Sequence, residues 1–106
     1  MIVFQWSALA IDGHADSALR IIKRWARTGL LEIGWPSGRT YINCRDCGAI
    51  IVEYHFDDMS TFESAWENLL RCERVAAFWE ELRPMLNEDH MDRQLYSVSY
   101  ARDRAT

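Results

Sequence analysis

The chain predicts an α+β fold in the order β-α-β-β-α-β, with the second helix split and a four-stranded antiparallel sheet carrying helices on one face. Three observations lead there. Short runs of β-branched and aromatic residues, densest from Ala49 to Phe56, alternate with stretches whose apolar residues recur at helical spacing. The second helical stretch loses its phase midway. A length of 106 residues suits a single domain with its own core, taken as 1–101 with a tail at 102–106.

The first strand is read at Ile2 to Leu9, an apolar run broken by Gln5 and Ser7. Asp12, Gly13 and Asp16 then offer turn and cap chemistry. Ala15, Ala18, Leu19, Ile22, Trp25 and Ala26 follow at helical spacing, and Gly29 is placed to cap that helix. Leu30 to Trp35 and Thr40 to Cys44, interrupted by Pro36-Ser37-Gly38, read as one bent strand or two short ones. Ala49 to Phe56 forms the next strand and pairs with it as a hairpin. Ser60-Thr61-Phe62-Glu63 has the form of a capping box, which starts a helix with Ser60 as N-cap and Phe62, Ala65, Trp66, Leu69 and Leu70 as its stripe.

Continued straight to Arg83, that helix would bury Glu73 and Glu80 and turn Val75, Phe78, Trp79 and Leu82 outward. The sequence therefore predicts a break near Cys72 and a new helix over Glu73 to Arg83, closed by Pro84. Asn87 to Asp92 reads as an acidic loop, Gln94 to Ala101 as the last strand and Arg102 to Thr106 as a frayed tail. Two right-handed crossovers give the spatial order 4-1-3-2. One sheet face is left uncovered, and a second copy of the chain is the simplest cover.

Composition narrows the function classes. The formal charge of −4 disfavours nucleic acid and anionic lipid, and Arg20, Lys23, Arg24 and Arg27 read as the solvated back of a helix. No apolar run approaches the ~20 residues of a membrane span. The opening MIVFQWSALA has no basic start, so it reads as a strand, and a cytoplasmic location is expected. Three cysteines, an odd number, fit a reducing compartment. Cys44 and Cys47 form C-R-D-C, but His14, His55, His90 and Cys72 supply no second pair at zinc spacing, so two thiols at a hairpin end are expected and no metal. No Gly-rich nucleotide fingerprint is present, and no cofactor is expected.

The opening strand, Gly13 before the first helix, the R-T-Y-I-N strand and the run V-E-Y-H-F-D-D-M-S-T-F-E-S-A-W-E together resemble the dimeric α/β-barrel superfamily, and within it the NIPSNAP-like branch. Members are similar to antibiotic-biosynthesis monooxygenases, haem-degrading enzymes, muconolactone isomerases and small proteins of unknown role. The resemblance implies a ferredoxin-like fold packed as a homodimer, with a cavity between sheet and helices or within the barrel. The Lys-Pro-Gly expected ahead of the first helix is Ile11-Asp12-Gly13 here, which removes a cation from that point.

Alternation along the third strand puts Ile50, Val52, Tyr54 and Phe56 under the helices and Glu53 and His55 on the other face. In register, Arg39, Tyr41 and Asn43 join them there. Glu53 and His55 are the candidate acid–base pair; Arg39, Tyr41, Asn43 and Trp35 are the candidate substrate contacts, Trp35 reading equally as core or dimer contact. Glutamate and histidine side by side can give and take a proton. Two functions follow. One is a homodimeric binding protein or cofactor-independent enzyme, of oxygenase or isomerase type, acting on an apolar or aromatic compound in the barrel. An oxygenase of that kind draws its electrons from the substrate. The other is a non-catalytic homodimeric module whose cavity is filled by its own side chains, with Glu53 and Arg39 as a cross-strand ion pair.

Overall fold

The strand β1 (Ile2–Ala10) decides the layout, because β3 and β4 flank it along nearly its whole length. The computed structural model describes residues 1–30, 32–36, 38–43 and 48–98. Ile2, Phe4, Trp6, Ala8 and Ala10 alternate onto the core face, while Gln5, Ser7 and Leu9 point the other way and are half-buried. β3 (Ala49–Phe56) lies antiparallel on one side, β4 (Leu86–Ser97) antiparallel on the other, and β2 (Gly38–Ile42) pairs with β3 at the edge. The order β2-β3-β1-β4 is the expected one.

Helix α1 (Ala15–Trp25) buries Ala18, Ile21 and Ile22 and leaves Arg20, Lys23, Arg24 and Arg27 outward. This basic stripe is a solvated back, with Arg24 paired to Glu81. Gly29 does not cap α1 in a left-handed conformation. The helix runs on into a π turn, Ala26–Leu30, in which a Cβ on Gly29 would overlap the Trp25 ring, so the glycine serves close approach. Of the stretch Leu30 to Trp35, expected as strand, none of the described residues is in a strand. The amides of Ile33 and Trp35 both donate to the Leu30 carbonyl, at 3.2 and 3.0 Å, and Gly34 takes φ 82° to turn Trp35 back under the sheet. A six-residue stretch whose apolar residues are interrupted by Glu32 and Gly34 fits either state, and here local hydrogen bonds replaced a ladder.

The broken helix is present: α2 (Met59–Arg71) and α3 (Glu73–Leu82) meet at Cys72, whose ψ of 114° is extended. Phe62 and Ala65 of α2 and Phe78 and Leu82 of α3 are buried, and Glu73 and Glu80 are exposed. Leu70 departs from the expected stripe and is 69% exposed. The α2 N-cap is Asp58, not Ser60. Its carboxylate accepts from the Thr61 amide at 2.7 Å and the Thr61 hydroxyl at 2.8 Å, which leaves Ser60 inside the first turn.

The acidic segment Asn87 to Asp92, expected as loop, belongs to β4. Asn87 stands opposite Leu9 and Asp92 opposite Ser7, so the step of two residues on β1 faces five on β4, and the surplus bulges outward. Cys44 and Cys47, residues 99–101 of the expected last strand and the tail at 102–106 lie outside the described residues.

Asp58→Ala should lower the unfolding midpoint while Ser60→Ala leaves it near wild type. The Thr61 amide, then its hydroxyl, hold the Asp58 carboxyl below its ordinary range. The cap's contribution is therefore complete above the unfolded pKa of about 4 and is lost as pH falls through the lower folded value. Denaturant melts should show the Asp58→Ala deficit closing on acidification; a larger deficit for Ser60→Ala would move the helix start to Ser60.

Candidate functional site

The sheet separates two chemistries. On the face away from the helices, His55 Nε2 lies 2.8 Å from Glu53 Oε1, and Gln5 Nε2 donates to Glu53 Oε2 at 3.4 Å. Register puts Arg39 opposite Glu53 and Tyr41 opposite Ile51, and the Asn43 amide donates to the Ala49 carbonyl at 3.1 Å. The five expected polar residues thus lie along β2 and β3 in the expected register. Glu53 pairs with His55 and not with Arg39, which among the described residues has no ion pair. The Glu53 side chain is 20% exposed and that of His55 43%, so the pair borders solvent in the single chain. Gln5 joins the group without having been singled out; its signal was a polar residue interrupting an apolar strand.

Trp35, the sixth candidate, lies on the other side of the sheet. It is buried, its indole N–H donates to the Ala65 carbonyl at 2.9 Å, and its ring meets Tyr54 edge-on at 5.0 Å. There it walls a cavity of about 880 Å³ between sheet and helices. All five tryptophans of the chain, Trp6, Trp25, Trp35, Trp66 and Trp79, line this one space. They hold one another through aromatic contacts: Trp25 stacks on Phe78 at 5.0 Å, Trp6 meets Trp79 at 5.6 Å and Phe4 meets Trp66 at 5.5 Å. The tryptophans come from β1, α1, the segment before β2, α2 and α3, so their convergence is visible only once the fold is known.

One polar group stands in the wall. Burial pushes the Tyr54 phenol up to about 12, and the Trp6 indole N–H donating to its hydroxyl draws it back slightly. Tyr54 therefore stays a neutral phenol at any physiological pH. At the mouth stand Arg83, Glu88, Asp92 and Arg93. Among the described residues no group of three His, Cys, Asp or Glu is placed to hold a metal ion, and no helix is long and apolar enough to cross a membrane.

Comparison with solved structures finds the same fold in other proteins. A NIPSNAP domain protein from Burkholderia xenovorans superposes with a TM-score of 0.77 over 95% of this chain and 97% of its own, at 16% identity. The chain has the ferredoxin-like α+β fold of that protein. A putative antibiotic biosynthesis monooxygenase from Deinococcus radiodurans superposes at 0.72, with 16% identity over 95% of each chain, and a NIPSNAP family protein from Agrobacterium tumefaciens at 0.74, with 12% identity over 92% of each. No protein-family profile and no curated protein matches the sequence.

Because the folded Tyr54 pKa lies above the unfolded value of 10.0, its stabilising contribution is complete below pH 10.0 and lost as pH rises through about 12. Wild type should lose stability over that interval more steeply than Tyr54→Phe in pH-dependent denaturation. Parallel curves would place the phenol in water.

Proposed function

We propose that the protein binds an apolar, aromatic small molecule in the cavity between its sheet and helices, and does so as a cytoplasmic homodimer. The observation that carries this is the convergence of all five tryptophans on one open space of about 880 Å³, within the size range of small-molecule sites. A filled interior would support the non-catalytic alternative; open space walled by aromatic faces supports ligand binding. A second copy is supported by the opposite sheet face, where Tyr41 and Tyr96 remain 41% and 46% exposed. The odd cysteine count supports a reducing compartment.

A second reading, catalysis of isomerase or oxygenase type at the barrel interior, is favoured by the contact between Glu53 and His55, backed by Gln5. In it Glu53 and His55 exchange a proton with a substrate that Arg39, Tyr41 and Asn43 orient, on the face turned toward the partner copy. Trp35 serves only the cavity reading.

The neutral probe 2-naphthol should quench tryptophan emission saturably, and Val75→Phe, which fills the cavity from α3, should abolish the quench while the protein stays folded. Quenching that survives Val75→Phe would remove the cavity from the reading. Sedimentation should show a dimer at micromolar concentration, and a monomer there would remove the partner. Glu53→Gln, isosteric and uncharged, should leave 2-naphthol affinity unaltered, since Glu53 is across the sheet; a loss would join the two sites into one.

A further inference from the structure

The cavity's mouth is where its chemistry departs from aromatic hydrocarbon. Of its four charged residues, Arg83 is neutralised by Glu88 at 3.3 Å. Asp92 stands opposite Ser7 and accepts from Gln94 Nε2 at 2.9 Å. Arg93 stands opposite Trp6, on the helix side, with its guanidinium carbon 5.9 Å from the centroid of the Trp66 ring. Among the described residues no carboxylate pairs with it. With no carboxylate on it, the guanidinium keeps its planar fork of N–H donors available, and that fork matches the two oxygens of a planar anion.

We infer that the cavity takes an aromatic ligand bearing a carboxylate, its rings among the tryptophans and its carboxylate on Arg93 at the mouth. The inference rests on the cavity reading above and adds the ligand's polar end. A charge at the mouth stays in contact with water and avoids the cost of burying an ion, while the rings leave water entirely. One free guanidinium matches one negative charge. A dianionic phosphate would leave a surplus charge beside Glu88 and Asp92. Because the chain's net charge is −4, the attraction is local to Arg93 and not a property of the whole surface.

The probes are 2-naphthoate and 2-naphthamide, which share a ring and differ in charge, titrated by tryptophan quenching and calorimetry against wild type, Arg93→Gln and Arg93→Lys. Wild type should bind the naphthoate about tenfold more tightly than the amide, a factor typical of one charge-assisted hydrogen-bonded pair. Arg93→Gln should erase that preference without changing amide affinity, and Arg93→Lys should keep part of it. Equal affinities in wild type, or a preference surviving Arg93→Gln, overturns the inference and leaves the cavity reading standing. Loss of both probes in Arg93→Gln also overturns it, by making Arg93 a support for Trp66. Binding of neither probe to wild type overturns both.

Discussion

The break at Cys72 is the constraint on which the rest of the structure depends. With one residue in extended conformation between α2 and α3, two apolar stripes of opposite phase both face the sheet. A straight helix would send Phe78 and Trp79 into water and bring Glu73 and Glu80 over β1, a loss of burial compounded by two unpaired buried charges. The same break angles two short helices over a sheet that one long helix would cover along a single line. The space left beneath them is where the aromatic side chains gather. Gly29 contributes by letting the Trp25 ring lie against backbone, and Gly34 by returning Trp35 beneath the sheet.

The alternation of β-strands then divides the chemistry. Even-numbered positions of β1 and β3 face the apolar, aromatic-rich interior with one neutral phenol, Tyr54, while odd-numbered positions set the polar group Gln5, Glu53 and His55 among apolar Val3, Leu9, Ala49 and Ile51. A side chain on one face has no direct route to the other. We therefore place the proposed ligand with the tryptophans, and the proposed acid–base pair with the partner copy, as separate proposals supported by separate contacts.

The fold was largely legible because its main signals are local. Period-2 alternation from Ala49 to Phe56 gave both a strand and the direction of its side chains, and the phase of Phe62, Leu69, Phe78 and Leu82 located the helical break near Cys72, where it falls. The polar cluster was legible for the same reason, since register follows from a hairpin. What was not legible depended on partners distant in sequence or on choices between equivalent groups. Asn87 to Asp92 looks like loop because its residues are acidic, and it joins the strand because its two ends, Asn87 and Asp92, pair with Leu9 and Ser7 of β1. Leu30 to Trp35 looks like strand, and its described residues join no ladder. Asp58 and Ser60 are both good caps, and the hydrogen bonds of Thr61 select the earlier one. A cavity between sheet and helices was implied by the resemblance, but its lining was hidden, because no local pattern reports that tryptophans spread from position 6 to position 79 share one space.

Central to the proposed function is that those five tryptophans wall a single ligand site. Labelling the chain with 5-fluorotryptophan gives five fluorine resonances, one per position. On titration with an aromatic probe the account predicts that all five shift together along one binding curve, because every indole borders the same occupied volume. Resonances that shift along different curves, or that stay fixed while a single one moves, would contradict it.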